Sequence, residues 1–214
     1  SNKVKVIYNG FIKNNTNFKA SPNGFKQNLG IEKKSFVFLV LANLIPYKNH
    51  KLVIDAVNSL SKVVKKKFKV IFLGSGKKEY RSYLKRLIKE RQIESYFLFK
   101  NKTKNIHNFL NITNVGISSS KEEGLSNSLI EFISFGIPTI ATKVGGNSEI
   151  TTSKNGFLIE NNNTKQLIAA MKTSMNDKKL LKIKSIKSKK DSQKFDFDEM
   201  VKKHTKLYEN ISKN

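Results

Sequence analysis

The sequence contains no cysteine and no tryptophan, and only three prolines among 214 residues. Without thiols there are no disulfides, no thiolate nucleophile and no cysteine-based metal site, which permits a cytoplasmic setting. Acids are scarce: 16 Asp and Glu stand against 41 Lys and Arg, a formal charge of +25. No apolar run reaches the roughly 18 residues of a membrane-spanning helix, and no secretory signal pattern opens the chain. His50, His107 and His204 are isolated from one another in the sequence, which argues against a metal cluster. With 38% apolar residues the chain still has enough to build a core. The expectation is a soluble globular protein whose membrane contacts, if any, are peripheral.

Such an excess of cations seeks polyanions: nucleic acid, anionic lipid or a phosphorylated substrate. The basic residues are scattered and not gathered beside stacking aromatics, so a Lys-rich solvated surface explains them equally well. The densest run, Lys178 to Lys190, places seven lysines around Leu180, Leu181, Ile183 and Ile186 and predicts a basic amphipathic helix. Two readings of it stand: a helix lying on an anionic membrane, or a packed helix whose apolar stripe faces the core.

From Phe36 onward short apolar runs alternate with helical patterns, an α/β signature. Strands are expected at Phe36–Ala42, Phe68–Leu73, Tyr96–Phe99, Asn114–Ser118, Ile137–Ala141 and Phe157–Ile159. Between them, Leu52 to Val64, Tyr80 to Ile88, Ile106 to Leu110 and Ser126 to Phe135 carry helical spacing. Connections of this length favour parallel strands with right-handed crossovers, hence a doubly wound, mostly parallel Rossmann-like sheet with helices on both faces. Three segments are expected: a lead-in strand (Val4–Tyr8) and linker over 1–35, a binding domain over 36–194, and a C-terminal amphipathic helix over 195–214. In an open parallel sheet the ligand lies outside the carboxyl ends of the strands.

The fourth strand runs into Ser118-Ser119-Ser120-Lys121-Glu122-Glu123-Gly124-Leu125-Ser126-Asn127-Ser128 and then into an apolar helix carrying Glu131. A strand, a small-residue loop and a helix start make an anion site: amides from Leu125 to Ser128 and the helix dipole favour phosphate, and Gly124 permits close approach. Read blandly, Ser126 or Asn127 caps the helix and Gly136 ends it. Glu123 and Glu131 are acceptors suited to the hydroxyls of a sugar or ribose. On a continuous helix they would stand roughly 12 Å apart, too far for a glycosidase carboxylate pair.

Here the sequence resembles the family 4 retaining glycosyltransferases, in particular their C-terminal domain. The resemblance rests on Glu123, Gly124 and Glu131 with seven residues between the two acids, and on the segment "FISFGIPTIATKVGGNSE" that follows. Val6-Ile7-Tyr8-Asn9-Gly10, Gly74-Ser75-Gly76 and Asn155-Gly156-Phe157-Leu158 add to it. It implies that Glu131 holds the nucleotide ribose, that Glu123 faces the donor sugar, and that amides from Gly124 to Ser128 receive the diphosphate. Lys48 matches a diphosphate-gripping lysine, whereas Asn43 stands where the family has an arginine. Lys102 lies in the loop that holds the base. The implied reaction is sugar transfer from a nucleotide diphosphate sugar, with uridine diphosphate and an N-acetylhexosamine or hexose expected. No metal and no cofactor are expected in this domain. The implied partners are an N-terminal acceptor domain, a lipid-linked or saccharide acceptor, and an anionic inner-membrane surface, as in bacterial surface-polysaccharide assembly. The setting would be cytoplasmic, peripheral to that membrane.

Other motifs fail. Gly74-Ser75-Gly76 lacks the third glycine of a dinucleotide fingerprint, and no Gly-Lys-Ser/Thr phosphate loop is present. Gly116-Ile117-Ser118-Ser119-Ser120 misses the closing glycine of a nucleophile elbow. A charge-driven nucleic-acid module and a non-catalytic sugar-nucleotide-binding domain remain as alternatives; the first lacks any recognised nucleic-acid motif.

Overall fold

The structure is a computed structural model and describes residues 4–12 and 21–212. In chain order its elements are α1 (Pro22–Asn28), β1 (Phe36–Leu41), α2 (His50–Ser61), β2 (Phe68–Leu73), α3 (Lys78–Glu90), β3 (Phe97–Lys100), α4 (Ile106–Ile112) and β4 (Val115–Ser118). There follow α5 (Asn127–Ser134), β5 (Thr139–Thr142), α6 (Asn147–Ile150), β6 (Gly156–Ile159), α7 (Thr164–Asn176), α8 (Lys178–Asp191) and α9 (Phe197–Ser212). Short 3-10 turns lie at Pro46–Lys48, Glu94–Tyr96 and Ser192–Phe195.

All six strands are parallel, in the order β3-β2-β1-β4-β5-β6. The expected doubly wound sheet is therefore present. Side chains alternate across a strand, so β1 sends Phe36, Phe38 and Val40 to one face and Val37 and Leu39 to the other. The first face is covered by Leu52, Val57 and Leu60 of α2, Leu84 of α3 and Leu167 and Met171 of α7. The second is covered by Phe109 and Leu110 of α4 and by Leu129, Phe132 and Ile133 of α5. Both faces being dry explains why β1 reads as an unbroken apolar run and not as an alternating one.

The boundaries shift for local reasons. The fifth strand was expected from Ile137, but Pro138 has no N–H for a ladder, and pairing starts at Thr139. Asn114 lies just before β4 and ties it to β1 with its side chain, Oδ1 accepting from Val37 N at 2.8 Å. At the N-terminus the expected strand Val4–Tyr8 joins no ladder; the one pairing nearby is an isolated bridge from Phe11 to Asp196. Pro22-Asn23-Gly24, residue types that favour turns, open α1 behind Ser21. Ser21 Oγ accepts from Gly24 N at 3.1 Å, and Pro22 occupies the first turn, where a missing N–H costs nothing.

The basic run Lys178–Lys190 is helical, as its spacing predicts, but its apolar residues divide: Leu181 packs against the first core face and the two isoleucines turn outward. Lys184 and Ser188 are buried, while Ile183 and Ile186 are 54% and 64% exposed. Inward-facing Lys and Ser are tolerable because the loops beneath present unpaired carbonyls. Lys184 Nζ donates to Ser153 O and Gly156 O, Ser185 Oγ to Gly136 O, Ser188 Oγ to Asn155 O and Lys189 Nζ to Ser134 O. Among the described residues no helix is long and apolar enough to cross a membrane.

Candidate functional site

In this strand order β1 lies between β2 and β4, so the chain leaves β1 and β4 toward opposite sides of the sheet. The loops at their carboxyl ends open a crevice at that switch point. The crevice is a cavity of about 320 Å³, at the lower end of ordinary small-ligand sites. It is lined by Asn43 and Lys48 after β1, Gly74 after β2, Lys102 and Thr103 after β3, and Glu123 with Leu125, Ser126, Asn127, Ser128 and Glu131 after β4. Nine of the ten residues nominated from the sequence thus share one cavity. Gly124 does not line it; its carbonyl accepts from Gly146 N at 2.7 Å, and its missing side chain faces open space.

Glu123 lies in the loop ahead of α5 and not on a continuous helix with Glu131, which removes the helical basis of the roughly 12 Å separation expected above. Its Oε1 receives Lys48 Nζ at 2.5 Å and Ser120 Oγ at 2.8 Å. Lys48 and Glu123 are therefore salt-bridged to each other across the crevice. Lys48 is held by its backbone: the 3-10 turn ends at Asn49 in the left-handed region (φ 52, ψ 45), a conformation asparagine tolerates. Ser119 Oγ then straps the turn to the β4 loop by donating to Lys48 O at 2.9 Å, and Lys121 N donates to Tyr47 O at 2.8 Å. Behind the turn His50 is fully buried against Phe72 with neither ring nitrogen bonded. Desolvation, then the nearby Lys48 charge, lower its pKa to about 4.

Helix α5 begins at Asn127 with Ser126 as its N-cap, yet no side chain bonds the first-turn amides; Ser126 Oγ is instead 3.1 Å from Ser128 Oγ. The bland capping reading is thus not realised at this end, and helix amides face the cavity with the positive end of the dipole. At the other end it is: Gly136 terminates α5 at φ +69. One turn into α5, Glu131 has Oε2 buried with no partner. Burial raises its pKa to about 7, with Lys102 pulling the other way. A carboxylate oxygen stripped of water and left unbonded costs free energy.

Several supports were given no role of their own in the sequence. Ser120, three residues before Glu123, braces that carboxylate. Asn9 Nδ2 donates to Asn127 Oδ1 at 3.0 Å, and the Tyr8 hydroxyl bonds Glu149 Oε2, whose carboxylate also raises the phenol pKa. Gly145, at φ +46, lets its backbone press on Glu123, where a Cβ would stand 1.6 Å from the Glu123 carbonyl oxygen. Gly74 allows the same contact with Ala42, so the Gly74-Ser75-Gly76 signal reports loop packing at the crevice floor.

The fold and site can be set beside known proteins. The family model described as "Glycosyl transferases group 1" matches residues 23–191. The chain belongs to this family and is a glycosyltransferase domain. N-acetyl-alpha-D-glucosaminyl L-malate synthase of Bacillus anthracis is 28% identical over 159 residues, 73% of this chain and 40% of that protein. A 4-alpha-N-acetylgalactosaminyltransferase of Campylobacter jejuni that acts on a diphospho-undecaprenol-linked saccharide is 28% identical over 196 residues, 91% of this chain and 50% of that protein. Among solved structures, Anabaena HepE in complex with UDP superposes with a TM-score of 0.86 at 23% identity, covering 98% of this chain and 57% of that one. The chain spans about half the length of such relatives.

Proposed function

We propose that this domain holds the nucleotide diphosphate sugar of a retaining glycosyltransferase, with a UDP-sugar as the favoured donor. The observation that carries the reading is the convergence, in one crevice at the switch point, of uncapped helix amides, Lys48 and the unpartnered carboxylate of Glu131. In this reading Glu131 accepts hydrogen bonds from the ribose hydroxyls, which supply the partner that Oε2 lacks. The diphosphate lies on the amides from Gly124 to Ser128, and Lys48 leaves or shares Glu123 to reach it. Glu123, still held by Ser120, then turns its free capacity to the sugar hydroxyls. Transfer needs the developing charge on the leaving diphosphate stabilised; Lys48 and the helix dipole supply that without an arginine, since Asn43 donates hydrogen bonds but carries no charge. Lys102 and Thr103 flank the base. That Anabaena HepE and S. aureus TarM were crystallised with UDP supports the choice of nucleotide.

The acceptor is a lipid-linked or saccharide chain brought by a preceding half of the protein, at an anionic membrane surface. This domain alone binds donor and does not turn it over. Calorimetry with nucleotides and nucleotide sugars tests the site. Uridine diphosphate derivatives bind the wild-type chain, Glu131→Ala weakens them about 10- to 100-fold, the range for losing hydrogen bonds to a charged group, and EDTA changes nothing. If no nucleotide diphosphate binds, or Glu131→Ala leaves affinity unchanged, the donor site is misassigned.

A further inference from the structure

Helix α8 leaves an outward face that the donor site does not use. At about 100° per residue, Lys179, Lys182, Ile183, Ile186 and Lys190 fall within a sector of roughly 100°. All five are exposed. The opposite sector holds Lys184, Ser185 and Ser188, which are bonded to loop carbonyls beneath. The helix is docked by these hydrogen bonds and by Leu181 packing against the core, so Ile183 and Ile186 are left mostly in water. Nor are the lysines around them neutralised: Lys179, Lys182 and Lys190 make no ion pair among the described residues. Both acids that flank the helix are engaged elsewhere. Asp177 Oδ1 accepts from Leu180 N at 2.8 Å, and Asp191 is paired with Lys187 and accepts from Asn155 Nδ2 at 3.0 Å.

We infer that this face of α8 is a docking surface for an anionic lipid bilayer, with Ile183 and Ile186 entering the headgroup–acyl boundary and Lys179, Lys182 and Lys190 pairing with lipid phosphates. The choice of partner follows from the mixture. A nucleic acid or a free polyphosphate would use the lysines and leave two isoleucines against a polar chain. A bilayer interface takes aliphatic tips and cations together, and each lysine near such a surface strengthens binding roughly fivefold. The inference specifies the membrane contact included in the proposed function and is independent of the donor site.

Cosedimentation of the full chain with phosphatidylcholine vesicles, with and without phosphatidylglycerol, tests it at low salt. The mixed vesicles carry the protein down and the neutral ones do not. Ile183→Ser with Ile186→Ser, which removes no charge and no packed side chain, weakens binding about tenfold. Lys179→Gln, Lys182→Gln and Lys190→Gln together weaken it by more, whereas Lys78→Gln with Lys89→Gln on α3 has little effect; circular dichroism melts confirm that all variants fold. Absence of binding to the mixed vesicles overturns the inference. So does equal loss from the α3 pair, an isoleucine variant that binds as wild type, or a preference for single-stranded oligonucleotide that ignores the isoleucines. Because none of these readouts involves nucleotide, they fail separately from the donor calorimetry.

Discussion

Glu131 sets stability against function. Its carboxyl has a pKa raised to about 7 because burial disfavours the charged form. A raised acid favours the fold at pH values below its unfolded pKa, and that contribution disappears as pH rises through the folded value. Between roughly pH 4.5 and 7 the domain without added donor should therefore lose stability on account of this side chain alone. Glu131→Gln removes the titration while keeping the shape. Urea melts at pH 8 should show the variant about 1 to 3 kcal/mol more stable than wild type, an advantage that vanishes near pH 4.5. Donor affinity should move the opposite way, rising with pH up to about 7 in the wild type and becoming low and flat in the variant. The Lys48–Glu123 pair carries a different signature: each partner is left half-buried and uncompensated when the other is removed. Lys48→Met and Glu123→Gln should each cost about 1 to 2 kcal/mol in urea melts, and the double variant less than their sum. Asn43→Arg tests the departure at the first loop, with tighter UDP binding at low salt as the expected calorimetric result.

Among the elements, strands and long helices were legible because their apolar periods differ, and β1 was recognised as doubly buried from its unbroken run. The crevice was legible too, since a parallel sheet dictates where ligands lie, and nine of the ten nominated residues line it. Three features were not. Ser21 and Pro22 serve a helix start as readily as a turn, and nothing local decides between them. The orientation of α8 was hidden because periodicity says which residues share a face, not which face meets loops in need of donors. Contacts across long chain separations, Asn9 with Asn127 and Gly145 with Glu123, leave no local trace at all. Gly145→Ala places a methyl into the Glu123 carbonyl and strains a positive φ, so the β4 loop must move. A loss of about 2 to 4 kcal/mol in thermal or urea melts is expected. Donor affinity should fall by at least tenfold, although no ligand atom need touch Gly145.

At the scale of the molecule, α9 is a long helix with little packing beneath it. α9 has no buried residue, and Val201, Tyr208 and Ile211 are exposed, with Tyr208 at 65%. A sixteen-residue amphipathic helix with its apolar side in water is marginal alone. In the two-part enzyme proposed above, α9 would be ordered by contact with the other part. Amide hydrogen exchange should show α9 exchanging rapidly in the 214-residue chain, with the β1 and β4 amides slow. In a protein that includes a preceding half, α9 should become protected while the sheet is unchanged.

The segment Tyr8–Phe11 is fastened at several points. Tyr8 grips Glu149 in α6, Asn9 grips the first residue of α5, Gly10 N donates to Met200 Sδ of α9 at 3.1 Å, and Phe11 N bonds Phe195 O. Seen mechanically, it is a crank: a torque applied upstream of Tyr8 would reach the opening turn of α5 and the root of α9 at the same moment. Opening and closing of a two-part enzyme would then be geared to the amides on which the diphosphate is proposed to lie.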